Sequence, residues 1–484
     1  MRTPVEEAGL AAQRLAAAVR RALWRLPPAT LAARLDALAA AAEARHLCYV
    51  RDDVVEPVRV FAAPIVAVPA QLSYVRTATQ ALTAACRRLP DLYLEVPAVA
   101  DVLRLPPAEE AWLRACWGPA VRATNPVFAR HDAVCDFASP RWLDTLQFLE
   151  PNLSGVGGLH MVPAAERALI DTIAPALVAE DPALELEPGQ DIRALLMQEL
   201  IDHLAAVGRR ASTVAFVEPR FEGSGPDEQD ALARYVHDRF GIAVCHVDPA
   251  ELRLVGDEVM AGDLVVDVAY RDYGVADLLD AEAEGTDVAP MRRLFADNRV
   301  VSSIAGELDQ KSIFELFTDP DHARHFTADE LRVFRRHVPW TRLVADRRTT
   351  LPDGTTGALL PYLVAARDEL VLKPNRSYGG TGVTVGAVTD EAAWAAAIDA
   401  AVADPERWVA QRAVALPTVD FPVADGAGAV HAEPFYVVFG FAATSYGLAT
   451  LGRAAPQRVV NVAQRGGLCP VLIGHPPGRV VHAP

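Results

Sequence analysis

The stretch Leu370-Val371-Leu372-Lys373-Pro374-Asn375, followed by Tyr378-Gly379-Gly380-Thr381-Gly382-Val383, constrains this chain more than any other. Leu370 to Lys373 reads as a buried strand, and a lysine in such a strand is costly unless something anionic meets it. The nearby glycines let backbone N–H groups approach a ligand closely, so lysine and glycines together suit a polyphosphate. The glycines alone favour a plain hairpin over a phosphate loop, because Gly supplies positive φ in either case and hairpins are the commoner use. Lys373 tips the balance. No Gly-Lys-Ser/Thr follows, which excludes a Walker loop. Gly380, Gly382 and Gly386 have the wrong spacing for a dinucleotide fingerprint, and no helix follows to hold a pyrophosphate.

The rest of the 484 residues reads as mixed α/β (α+β). Residues 1–125 are mainly helical, with Ala, Leu and Arg at helical spacing and breaks at Pro27-Pro28, Pro90 and Pro106-Pro107. Residues 126–300 carry a strand ending in Glu150-Pro151-Asn152. They then show a β-α-β-β pattern: apolar runs at 214–217, 242–247 and 264–269, with a helix over 226–240. Residues 301–484 begin with a helix over 309–317, for which Asp309 is a candidate N-cap. Strands are expected at 370–373, 383–388, 408–414, 435–439 and 459–463, and a helix at 390–402.

Charge and cysteines narrow the function. With 46 Lys+Arg against 63 Asp+Glu the net charge is −17, which opposes binding to a polyanion, so no nucleic-acid partner is expected. Prolines interrupt the apolar stretch at 58–75, so no membrane span is expected, and the charged start lacks a secretory apolar segment. A cytoplasmic protein is the expectation. Six cysteines without a CxxC pair read as reduced core residues, and His131 with Cys135 falls short of the four ligands of a zinc site. His160, Glu218 and His337 with Trp340 read as turn or core residues.

Strand–Lys–Pro followed by a glycine turn resembles the ATP-grasp nucleotide fold, in which two lysines from different segments contact the ATP phosphates. On that resemblance Lys373 matches the second lysine, and Lys311, in Asp309-Gln310-Lys311-Ser312, matches the first. Asn375, Tyr378, Gly379, Gly380 and Gly382 would flank the phosphates. Trp408 to Val414 falls where the family places its hinge strand, whose backbone reads adenine, implicating Gln411, Arg412 and Ala413; most members carry an acid near Arg412. Arg453, Asn461 and Gly466-Gly467 resemble the stretch beside the transferred phosphate. No metal carboxylates follow them. Upstream, Asp132 in Arg130-His131-Asp132 and Glu150 and Asn152 in Glu150-Pro151-Asn152 supply an oxygen set of the kind Mg²⁺ prefers, although Glu-Pro-Asn by itself also fits a surface turn.

Metal residues before the lysines, with the Arg/Asn/Gly-Gly stretch last, resemble the circularly permuted ATP-grasp arrangement of glutathionylspermidine synthase-like carboxylate–amine ligases. The α/β segment would then be a pre-grasp-like layer, and 301–484 would complete the nucleotide site with 126–160. The resemblance implies ATP and Mg²⁺ as cofactors and small-molecule carboxylate and amine substrates. It further implies an acyl phosphate intermediate, an amide product, and ADP and phosphate released. Arg130 and Arg453 would stabilise the transferring phosphoryl group. Phosphotransfer from the same site and non-catalytic nucleotide binding are the alternatives, and the oligomeric state is left open.

Overall fold

The computed structural model describes residues 3–51, 54–218, 225–226, 228–377, 379–404, 408–425, 428–462 and 464–476. The chain opens on helix Pro4–Arg25, whose N-terminus is closed by a capping box between Thr3 and Glu6. Leu15, Val19, Ala22 and Leu23 bury one face of it. Helices Pro28–Ala44, Pro69–Arg87 and Pro107–Cys116 follow, and all four start on a proline whose missing N–H costs nothing there. Three short strands also lie in this region: Cys48–Arg51, Val54–Pro57 and Ile65–Ala67. They are too short for a period-2 pattern to stand out from the surrounding alanines.

Among the sheets of the described residues, three frame the site. The largest is antiparallel, in the order Gly467–Leu468, Leu448–Ala455, Val430–Ala443, His131–Val134, Gln147–Glu150, with Thr418–Ala424 pairing on the far end of Val430–Ala443. Two early strands are thereby inserted beside late ones. A smaller antiparallel sheet runs Thr341–Leu343, Trp408–Arg412, Leu370–Pro374, Thr384–Val385. Helices Leu359–Ala365 and Glu391–Ala403 cover one of its faces through Leu359, Leu363, Trp394 and Ile398, which pack on Leu370 and Leu372. The third sheet is parallel, Val300–Val301, Val268–Arg271, Thr213–Val217, Ala243–Val247, and buried as an α/β layer should be.

Several sequence expectations need correction. The helix expected from Asp309 starts later, at Ile313–Thr318. Asp309 instead ends a 3₁₀ turn, and its carboxylate accepts the Leu153 N–H at 2.6 Å. The run 264–269 divides between a hairpin strand, Leu264–Val265, and the parallel strand Val268–Arg271. Only Thr384–Val385 of 383–388 is strand, and 435–439 is the middle of a 14-residue strand. The 459–463 run forms no strand among its described residues. The Asn461 carbonyl accepts N–H groups from Gln464 and Gly466, closing a turn where an edge strand would leave it open.

One buried acid makes a stability prediction. Glu166, on helix Met161–Thr172, is 4% exposed, and burial pushes its carboxyl up to about 8 despite the N–H it accepts from Gly189. Its folded value lies above its unfolded one. Between about 4.5 and 8 the folded form holds a proton that the unfolded form lacks, so stability is lost as pH rises through that window, at no more than about 1.4 kcal/mol per pH unit. Glu166→Gln keeps an oxygen for Gly189. Denaturant midpoints should show the variant more stable than the parent at pH 8 and level with it near pH 4.5; equal midpoints at pH 8 would contradict the assignment.

Candidate active site

Alternation along Leu370–Pro374 turns Leu370 and Leu372 toward the covering helices and Lys373 toward the large sheet. The Lys373 ammonium donates to the Gln411 Oε1 at 2.7 Å and to the Leu149 carbonyl at 3.4 Å, bridging the two sheets. Burial pulls it down to about 8, partly offset by Glu150. Gln411, 2% exposed, also donates to the Leu149 carbonyl and to Thr341 Oγ1.

Lys311 comes from the turn before helix Ile313–Thr318. Its Nζ donates to the Ser377 carbonyl at 2.6 Å and stands 3.3 Å from Glu150 Oε2. Asn375 sets this approach: its carbonyl accepts the Lys311 N–H, its Oδ1 accepts the Ser312 N–H, and its amide donates to Gln310 and Ser312. Asn375 therefore splices the two lysine segments together, and its side chain faces them.

The oxygen set sits opposite. Asp132 and Glu150 are cross-strand partners in the antiparallel pair His131–Val134 and Gln147–Glu150, at a register shift between Asp132 and Ala133. Asp132 accepts from Arg453 Nη2 at 2.6 Å and from Arg130 Nε at 3.4 Å. Burial favours its neutral form, but the Arg453 and Arg130 charges outweigh that and hold the carboxyl below its ordinary range. Arg130 also donates to the Gly157 carbonyl, and Asn152 exchanges hydrogen bonds with the Arg130 backbone. Arg453 is 4% exposed, and among the described residues its Nε has no hydrogen-bond partner, an unmet donor at the edge of an open cleft.

That cleft has a volume of about 1410 Å³, and Arg130, Asp132, Glu150, Asn152, Arg453 and Asn461 border it. Gly379 and Thr381 form part of its wall. Gly379, Gly380 and Gly382 all have φ near +75°, open to glycine without strain, and a Cβ on Gly380 would stand 2.5 Å from Val459. Tyr378 lies outside the described residues. Neither lysine borders the cleft directly: Lys311 pairs with Glu150, which does, and Lys373 is bonded to Gln411. Arg412 and Ala413 border a second cavity, of about 1030 Å³, which Gln147 also lines. The N–H groups of Arg412 and Ala413 are taken by the carbonyls of Trp340 and Glu369, so these two backbone donors are already committed.

Among the described residues no three His, Cys, Asp or Glu side chains cluster closely enough to hold a metal by themselves. Asp132, Glu150 and Asn152 instead border the same cleft, and two carboxylates with an amide are a donor set that suits a hard cation taking further oxygens from phosphate and water. His160 is spent on the Arg45 carbonyl and Arg193. No helix among the described residues is long and apolar enough to cross a membrane.

The sequence did not single out Glu109, Arg376, Arg104 or Tyr49, all of which border the cleft. Arg376 stood three residues past Lys373 and was open to notice. Glu109 belongs to a helix more than 200 residues away and carries no local signal.

A solved structure of a glutathione synthetase-like effector from Globodera pallida, in its apo form, aligns with TM-score 0.60 over 93% of this chain and 98% of that one, at 10% identity. The chain shares the overall fold of that structure. Over 113 residues, 22% of this chain, the sequence is 35% identical to a Frankia alni protein named "Putative glutamate–cysteine ligase 2-3". The match spans 13% of that relative's length. No family model matches the sequence.

Proposed function

We propose that the protein is an ATP-dependent ligase that joins a small-molecule carboxylate to an amine, releasing ADP and phosphate. The observation that carries this is that Asp132, Glu150 and Arg453 border one cleft and that Lys311, from a third distant segment, pairs with Glu150 at its edge. The names of the Frankia alni protein, "Putative glutamate–cysteine ligase 2-3", and of the Globodera pallida protein, a glutathione synthetase-like effector, support the same chemistry. The order of the segments, oxygen donors at 132–152, lysines at 311 and 373, arginine at 453, supports a circularly permuted ATP-grasp. In that arrangement 126–160 and 301–484 make the nucleotide site, and 1–125 with the α/β layer shape the substrates.

In this mechanism the triphosphate lies along the cleft under the glycine turn, with its base toward the second cavity beside Arg412 and Ala413. Lys311 and Lys373 exchange their present partners for phosphate oxygens. Asp132, Glu150 and Asn152 would hold Mg²⁺, which when bound offsets charge on the polyphosphate. The substrate carboxylate attacks the γ-phosphorus and ADP leaves, giving an acyl phosphate. The amine then attacks the acyl carbon, phosphate departs, and the amine loses a proton. Arg453 and Arg130 stabilise charge on the transferring group, whose reaction needs positioning and electrostatics and no protein nucleophile.

Calorimetry is expected to show Mg-ATP binding to the full chain. ATP consumed with a panel of amino acids and hydroxylamine should yield ADP, phosphate and a hydroxamate. Absence of Mg-ATP binding, or release of AMP and pyrophosphate, would overturn the proposal; a stable phosphorylated product without hydroxamate would identify a phosphotransferase.

A further inference from the structure

The N-terminal helices reach the cleft at one charged contact. Glu109, in the first turn of helix Pro107–Cys116, is 3% exposed, and both its oxygens accept from Arg376, Oε1 from Nη1 at 3.0 Å and Oε2 from Nη2 at 2.5 Å. Arg376 stands between the Lys373 strand and Ser377, whose carbonyl receives Lys311. The glycine turn begins immediately afterwards. Three left-handed glycines cost that turn more conformational entropy to order than other residues would, so fixed neighbours matter to its shape.

Its surroundings supply fixed points on two sides. Gly380 abuts Val459, next to the Asn461 turn, and Arg376 ties the entrance of the loop to a helix anchored in the core by Trp112, Leu113 and Cys116. A guanidinium gripped by two parallel hydrogen bonds is fixed in orientation as well as position, which a point charge would not achieve. The helix takes no other part in the proposed nucleotide site. We infer that Glu109 is a positioning residue that, acting through Arg376, sets the glycine turn over the triphosphate.

This rests on the ATP site proposed above, and the test separates the two. Affinities of the full chain for Mg-ATP by calorimetry, and for AMP by displacement of labelled ATP up to millimolar concentration, are compared for parent, Glu109→Gln and Arg376→Lys. Both variants should bind Mg-ATP ten-fold or more weakly with AMP affinity unchanged, because only the phosphate end has lost its support. Exchanging the pair, Glu109→Arg with Arg376→Glu, should recover most of the loss. Should Glu109→Gln fail to fold, Arg376→Lys, which keeps the charge and loses the fork, gives the same measurement. Variants that bind Mg-ATP like the parent, or that lose AMP and ATP in parallel as a merely structural defect would, overturn the inference alone. A parent chain without Mg-ATP affinity overturns the site proposal and this inference with it.

Discussion

Lys373→Met is expected to lower affinity for Mg-ATP by ten- to a hundred-fold while leaving thermal stability equal to or above that of the parent. The two effects have opposite signs because the ammonium is costly to the empty protein. Its direct partners, the Gln411 amide oxygen and the Leu149 carbonyl, are neutral, and burial pulls it from 10.5 down to about 8. Such a drop corresponds to about 3 kcal/mol against the charged form. A Gln411 oxygen left without a donor costs about 1–3 kcal/mol in return, which the relief offsets. The sign of the pH dependence follows: below about pH 8 the group is charged folded and unfolded, so the folded state bears the whole penalty, and relief comes as pH rises from 8 toward 10.5. The gain in melting temperature should therefore be visible at pH 7 and fade by pH 10. A phosphate would turn the same buried charge into a favourable contact of about 1.5–3 kcal/mol, the source of the affinity loss. A Lys373→Met chain that binds Mg-ATP as tightly as the parent would remove this lysine from the nucleotide site.

Asp132→Asn should cost both stability and turnover. Arg453 and Arg130 share this carboxylate in a buried setting, and removing the anion from such a pair typically costs about 3–5 kcal/mol, since a guanidinium is left without its counter-charge. Glu150→Gln separates the two losses. Glu150 is half-buried and, among the described residues, its ion pair within 4 Å is with Lys311 at 3.3 Å, so its stability cost should stay near the roughly 0–1 kcal/mol of an exposed ion pair. Both variants should lose the increment in ATP affinity that Mg²⁺ provides over EDTA. ADP formation should fall about a hundred-fold or more, the scale on which a preorganised electrostatic contact is lost. If Glu150→Gln turns over normally and keeps its response to Mg²⁺, the oxygen set lies elsewhere.

Much of the candidate site was written locally. Leu370-Val371-Leu372-Lys373 announces a lysine on one face of a strand, because side chains alternate along it whatever the strand packs against. Glu150-Pro151-Asn152 and the glycine turn are equally local: Gly379, Gly380 and Gly382 take left-handed φ that only glycine adopts freely. The long strand Val430–Ala443 was legible only in its centre, since its start projects into solvent and lacks the apolar pattern of its buried half. Strand Leu448–Ala455, which carries Arg453, is buried at every position, so its sequence shows no alternation to read. Asp309 looked like a helix cap because capping residues are the same types that accept a distant N–H, and here that N–H is Leu153's.

By itself the sequence determined the acidic charge, the mixed α/β character, and which short segments carry a lysine, an oxygen donor or a glycine turn. Tertiary structure alone decided which of them meet. Strands His131–Val134 and Gln147–Glu150 join the edge of Val430–Ala443, bringing Asp132 to Arg453 and Glu150 to Lys311, and helix Pro107–Cys116 brings Glu109 to Arg376. Periodicity reports a residue's neighbours a few positions away, whereas a pairing across hundreds of residues is chosen by the burial and hydrogen bonding of whole sheets, to which no single segment holds the key.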